Sequence, residues 1–431
     1  MKYTKYPVGP YNIHIINTDK FKTVSMKINF RRKIIKEELT IRRLLVEILT
    51  ESSRKYPTQR DLIIALEDLY NLKLSQSIKL DGTYSVISFM AQFLNEKYTE
   101  KGMLEKSILF LFDIIFDPDF ENGKFKESNL KKAKNRLIEI IKENEKDPTF
   151  YANSRMVKIM GAKEPYSFSV NGYIEEIDNI NTTNLTKYYK QVLHSDIVDI
   201  FIIGNVDPKN IKAIIQKNFG INTIKKQGEN PFYEHQKFRK RARKQKEDYD
   251  SYQTKLVIGA KIAPLTDFER KYVAFVYNFI LGGSPDSKLF RTVREQHSLC
   301  YSISSRIRIL QNLLIINAGI DKENIEKTVR LIRKEMNSIL KGIFEDSDIE
   351  KAKINFKNFL QETMDDPYSI IRYYVEQEYY NFDLIETRIK KIDEVDRQKV
   401  IEFAKKIHVD TIFALEGGKS KWKFQSLIGL I

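Results

Sequence analysis

The sequence predicts an α+β protein built from two homologous, duplicated domains. Three observations carry this. Segments with period-2 alternation are interleaved with segments of helical periodicity throughout the chain. At 431 residues the chain is too long for a single core. An ordered series of matches also links its two halves. Lys132-Ala133-Lys134 recurs as Lys351-Ala352-Lys353, and Asp147-Pro148 as Asp366-Pro367, both at an offset of 219. Leu62, Leu72 and Ser75 match Leu289, Leu299 and Ser302 at 227, and Ile177-Asp178 matches Ile392-Asp393 at 215. An offset that shrinks slowly is what a duplicated domain shows after losing a few loop residues.

In order, Val24, Met26, Ile28 and Phe30 alternate as a strand, followed by an apolar helix over Ile41 to Thr50. A second helix covers Leu62 to Tyr70. Strands follow from Leu72 and over Ser85 to Leu94, then a helix over Met103 to Phe116. A long charged helix runs from Phe125 to Glu145 and stops near Asp147-Pro148. Ile174 to Leu193 reads as helical, and the apolar run Ile200 to Gly204 as a buried strand closing the half. The second half repeats the order from Gln253 to Ile262. The expected division is residues 1–222 and 250–431, with a polar, basic linker over 223–249.

Composition narrows the class. The chain is 42% hydrophobic and 30% charged, as folded proteins are. The best apolar run, Ile108 to Phe116, is short for a membrane span and carries Asp113. The start, MKYTKYPVGPYN, has no apolar signal core, and the lone Cys300 has no internal disulfide partner. A cytoplasmic protein is expected. The net charge of +15 is concentrated in Lys237 to Lys246, KFRKRARKQK. That run reads either as a patch for nucleic acid or an acidic partner, or as a solvated strand edge guarded by lysines. The absence of aromatic interleaving beyond Phe238 favours the guarded edge.

The stretch Gly282 to Ser302 reads as loop, short helix, turn and strand. Ser284 suits a helix cap, Pro285 its first position and Asp286 the positive end of the dipole. Tyr301, Ile303, Ile307 and Ile309 fall on one face of the strand, and Ser302, Ser304, Arg306 and Arg308 on the other. Arg294 and Tyr301 then share the corner between helix and strand, where guanidinium and phenol can grip a peptide carbonyl or carboxylate. The competing reading is a surface arginine and a wet core tyrosine. Their counterparts at offset 227, Glu67 and Leu74, show that the repeated scaffold does not itself require the pair. His297 reads as a turn residue facing water, and Cys300 as a core thiol.

The pattern S-x-x-S-x-L-F-x-x-V-R-E-x-x-x-L-x-Y-S, with two similar α+β domains and a linker, resembles the insulinase/pitrilysin superfamily of zinc metallopeptidases. The resemblance is to its small bacterial branch, which is similar in architecture to mitochondrial processing peptidase, and it covers nearly the whole chain. It implies a clam-shell chamber of which this chain forms half. It also implies that Arg294 and Tyr301 bind substrate backbone. Active relatives carry H-x-x-E-H, whose histidines hold zinc while the glutamate activates water. The register of TESSRKYP (Thr50 to Pro57) puts the motif positions on Arg43, Val46 and Glu47. A guanidinium does not ligate zinc, and valine does not activate water. The later zinc ligand falls at Glu139 or Ile140. None of His14, His194, His235, His297 and His408 forms a pair at metal-ligand spacing.

The resemblance thus implies a non-catalytic subunit, itself without a metal cofactor. A homologous partner with H-x-x-E-H would supply zinc and general base, and peptide would be the substrate. Two alternatives stand beside it: a structural or assembly subunit of the same superfamily, and a basic module binding nucleic acid or an acidic partner through residues 237–246.

Overall fold

The computed structural model describes residues 1–221 and 228–417, so the first residues of the expected linker and the last fourteen of the chain lie outside the described residues. Thirteen strands are found in the described residues: β1 Lys2–Val8, β2 Tyr11–Asn17, β3 Thr23–Lys33, β4 Lys73–Asp81, β5 Tyr84–Leu94, β6 Phe120–Glu121, β7 Lys124–Phe125, β8 Ile197–Gly204, β9 Arg243–Asp248, β10 Thr254–Ile262, β11 Cys300–Arg308, β12 Leu313–Ile320 and β13 Ile407–Glu416. Apart from the small β6–β7 hairpin they form two sheets, one in each of two compact units.

The first unit comprises residues 1–142, 168–231 and 363–381. Its sheet runs β1-β2-β8-β3-β5-β4, with β2 and β8 parallel and every other neighbour antiparallel. Alternation sends Val24, Met26, Ile28 and Phe30 into the core with Val198, Ile200 and Ile202. The helices Leu39–Leu49, Met103–Phe116 and Thr182–Ser195 bury their apolar sides there. The other face carries buried polar groups and meets the helix Pro367–Tyr380. There Asn29 donates to the Tyr379 hydroxyl at 3.1 Å, and the Arg31 guanidinium lies 3.8 Å over the Tyr379 ring.

The second unit comprises residues 143–167, 232–362 and 382–431. Its sheet runs β11-β12-β10-β13-β9, with β9 parallel to β13 and the rest antiparallel. Against β10 and β13 lies the helix Pro148–Gly161, burying Ala152, Met156 and Met160 on Phe413, Leu415 and Val257. It sits so close that a Cβ on Gly259 would fall 2.3 Å from the Met156 sulfur.

Read from the other end, β9-β13-β10-β12-β11 repeats β2-β8-β3-β5-β4 in order and direction. The duplication is therefore a property of the fold. The compact units nevertheless do not follow a single cut of the chain near residue 222. Both Asp-Pro helices are exchanged: Pro148–Gly161 groups with the second unit and Pro367–Tyr380 with the first. Each starts in the same way, with Asp147 accepting from the Phe150 amide and Asp366 from the Ser369 amide, and proline in the first turn. The helix expected over Ile174 to Leu193 is two pieces, Ile174–Ile177 and Thr182–Ser195. The break falls where Asn181 and Asn184 form a capping box.

Candidate functional site

The motif helix Leu39–Leu49 belongs to the first unit. Val46 is wholly buried in the core, and Glu47 is buried beside it. Arg43 lies one turn before Glu47, and its Nη2 stands 2.6 Å from Glu47 Oε1. A second guanidinium arrives from the helix Glu127–Lys146. Arg136 Nη1 is 2.6 Å from Glu51 Oε1 and 3.6 Å from Glu47 Oε2. On that helix Glu139 is exposed and Ile140 half-buried. The residue that reaches the motif is Arg136, which sequence reasoning missed. Its place one turn before Glu139 is the signal that could have found it.

The residues present do not fit zinc. Structural and catalytic zinc sites take three or four nitrogen, sulfur or oxygen ligands. Of the motif positions only Glu47 offers a lone pair, and both its oxygens face guanidinium groups. The two arginines supply the positive charge that a metal supplies in an active relative, and they supply no coordination. Next to them Arg42, which unlike them is fully buried, donates to Asp196 at 2.7 Å, to the Ser85 hydroxyl at 3.0 Å and to the Phe30 carbonyl at 2.9 Å. It ties the motif helix to the sheet.

Another group of potential ligands in the described residues is His14, Asp199 and Glu378, with ligand atoms within 4.8 Å of one another. The sequence, searched by spacing, did not reveal it, because strand pairing and a remote helix bring the three together. It is a hydrogen-bonded network. Tyr3 hydroxyl lies 2.8 Å from His14 Nδ1, the Asn12 amide donates to Asp199 at 2.8 Å, and Lys5 pairs with Glu378. Burial alone would raise the Asp199 carboxyl, but the bonds from His14 and Asn12 outweigh it and hold the group below its ordinary value.

The second unit holds Arg294 and Tyr301. Their segment is a helix wound in π form over Phe290–Gln296, a tight turn with Ser298 at φ 49°, and the edge strand β11. The helix starts at Lys288. Ser284 does not cap it but hydrogen-bonds the Phe279 carbonyl, and Pro285 sits in the preceding turn. The Arg294 guanidinium carbon lies 5.3 Å from the Tyr301 ring and 4.6 Å from the Phe290 ring, so the pair expected from spacing does meet.

Tyr301 does not share the face of Ile303. Cys300 lies opposite Ile320 and Ser302 opposite Gly319, which leaves Tyr301 in a β-bulge. The bulge turns its ring outward, where it is 79% exposed, while Ile303 is buried. The wet core tyrosine is thereby excluded. Cys300 is half-buried, so it is not a core thiol. Its pKa is pushed up by that burial, with Arg294 acting the other way. His297 is exposed in the turn.

The basic run becomes, from Arg243, the edge strand β9. Arg239 pairs with Asp410, Lys244 with Glu326 and Lys246 with Glu416. No helix of the described residues is long and apolar enough to cross a membrane.

Two duplicated α+β units, with a helix that holds Arg43, Val46 and Glu47 where the resemblance expects histidine, glutamate and histidine, define a metallopeptidase-like protein without its own catalytic metal site. Comparison with known proteins agrees. The probable inactive metalloprotease YmfF of Bacillus subtilis is 30% identical over 95% of this chain and 96% of its own. The uncharacterized zinc protease YmxG of the same organism is 25% identical over 63% of this chain and 66% of its own. Residues 179–356 match the family described as Peptidase M16 inactive domain. A solved conserved protein from Enterococcus faecalis V583 superposes with a TM-score of 0.90 at 26% identity, covering 97% of this chain and 100% of that one. The chain belongs to the M16, or insulinase/pitrilysin, family of peptidases as an inactive member.

Proposed function

We propose that this protein is the non-catalytic, substrate-holding subunit of a heterodimeric zinc metallopeptidase acting on peptides. A homologous partner with an intact H-x-x-E-H motif would supply the metal and the general base. The observation that carries the reading is the pairing of Arg294 with an outward-turned Tyr301 beside an open sheet edge. It occurs in a chain whose motif positions hold Arg43, Val46 and Glu47, with Glu47 engaged by Arg43 and by Arg136 of a second helix. A peptide laid along such an edge gains main-chain hydrogen bonds. Arg294 and the Tyr301 hydroxyl then donate to the scissile carbonyl and to the oxyanion that develops from it. Among the described residues Tyr301 meets Arg294 and stands 79% exposed on its bulge, which suits a group that closes on substrate.

The test is reconstitution. The chain is mixed with a homologue from the same organism that carries the motif, and a peptide library is assayed with each alone and with both. Cleavage confined to the mixture, and lost with Arg294→Ala or Tyr301→Phe, supports the reading. Cleavage by the partner alone, unchanged by adding this chain, overturns it and leaves the structural subunit. The same cytoplasmic partnership is tested by co-purification from the native host.

A further inference from the structure

In the first unit the strand β2 is flanked by β8 on one side and β1 on the other. The helix Pro208–Asn218, which follows β8 in the chain, packs on β1, β2 and the helix Met103–Phe116. It buries Ile211, Ile214 and Ile215, spaced as one helical face. The duplication fixes the equivalents in the second unit: β9 for β2, β13 for β8, and the helix Ile325–Leu340 for Met103–Phe116.

In the second unit neither cover is present among the described residues. The strand β9 pairs with β13 alone, and the described chain ends at Gly417, directly after β13. A groove of about 500 Å³ lies there. Its lining includes the apolar Met336, Leu340 and Val409 and the basic Lys240, Arg241, Lys244 and Arg333, which are exposed and form a basic rim. Lys244 is held by Glu326 at 3.1 Å. Lys240, Arg241 and Arg333 have no carboxylate partner among the described residues. The otherwise buried Tyr277, 1% exposed, also lines the groove, and its hydroxyl has no hydrogen-bond partner among the described residues.

We infer that this groove is a docking site for an acidic amphipathic helix of a partner protein. The first unit supplies the template, apolar side chains at i, i+3 and i+4, and the basic rim supplies the preference for glutamate and aspartate around them. The chain's own last fourteen residues are the competing occupant. They contain Lys419, Lys421 and Lys423 and no acidic side chain, so their side-chain charge does not complement the rim. Single-stranded nucleic acid would want exposed aromatic platforms, and the only aromatic lining the groove, Tyr277, is buried in its floor. The inference does not depend on the peptidase reading, since it concerns a surface distinct from Arg294 and Tyr301 and is tested with this chain alone.

The experiment is fluorescence anisotropy on the full chain. The probe is a labelled fourteen-residue peptide with leucines at helical spacing and glutamates elsewhere. Controls are the same composition scrambled to break the period, and a labelled oligo-dT. Saturable binding of the amphipathic probe, at least tenfold tighter than either control, is expected. Arg241→Glu with Arg333→Glu should weaken it at least tenfold, and Leu340→Lys several-fold, with circular dichroism unchanged; all three side chains are exposed. Equal binding of scrambled peptide or oligo-dT overturns the proposal, because charge alone would then explain the groove. So does absence of binding, or binding indifferent to these substitutions. A tenfold gain in probe affinity on deleting residues 418–431 overturns it in favour of the chain's own tail.

Discussion

Arg43 and Glu47 stand one helical turn apart and close an ion pair, Nη2 to Oε1, at 2.6 Å. In the register read from the sequence these are the positions expected to match the histidines of active relatives. Here one is a cation and the other its anion. With Arg136 on the far side, the place of a metal is taken by a guanidinium–carboxylate cluster, which holds the helices together and leaves nothing to ligate.

Glu47→Gln should destabilise the protein by about 2 kcal/mol, because a largely buried Arg43 loses its charge partner while the exposed Arg136 turns to water. The urea midpoint measures it. An unchanged midpoint would mean that the cluster contributes no stability. The wild-type chain, grown with zinc and dialysed, should retain far less than one equivalent by elemental analysis.

The Arg42–Asp196 pair is buried at both ends, with side-chain exposures of 1% and 0%. Asp196→Ala leaves a guanidinium in the core and should cost about 3–5 kcal/mol. Arg42→Met, which removes the charge and keeps the stem, should cost less. Thermal melts of the two variants decide the order, and a reversed order would refute the argument.

Tyr301→Phe should leave stability within about 0.5 kcal/mol of wild type, since the ring is exposed. In a reconstituted heterodimer the same change should lower turnover by roughly 100- to 1000-fold, as loss of one oxyanion donor does. Measuring kcat and KM separately distinguishes this from weakened binding, which would raise KM alone.

Acid should weaken the second unit through His235. Burial pushes this imidazole down to about 4, and its Nε2 donates to the carbonyls of Gln311 and Asn312 at 3.0 and 3.1 Å. The unfolded chain binds the proton near pH 6.5 and the folded chain only near pH 4. Stability is therefore greatest above pH 6.5 and falls as pH drops through that window, by up to about 3 kcal/mol. In His235→Gln the slope between pH 6.5 and 4 should flatten, as followed by urea unfolding at each pH. An identical slope would show that other groups dominate.

Much of the fold was legible because its signals are local. The helix Met103–Phe116 and the strand Tyr84–Leu94 carry their periodicity in their own residues. β1 and β2 were missed. β2 is buried on both faces and so does not alternate, and β1, although its burial alternates from Thr4 to Val8, is polar, only half-buried and carries Pro7, which argues against a strand. Of the candidate site, the approach of Arg294 to Tyr301 was readable from helix and strand spacing. The direction of the Tyr301 ring was not, because a bulge moves one residue out of register and reverses the face.

By itself the sequence determined the class of the protein, two repeated α+β units of a metallopeptidase-like family, and it offered Arg43 and Val46 where zinc chemistry is expected to need histidine and glutamate. Those are matters of residue identity and short-range period. Only the tertiary structure decided that Arg136 completes the cluster, that the two Asp-Pro helices trade units, and that β9 borders a groove uncovered by the described residues. Each depends on packing between segments far apart in the chain, and local periodicity records that a side chain is buried without recording against what.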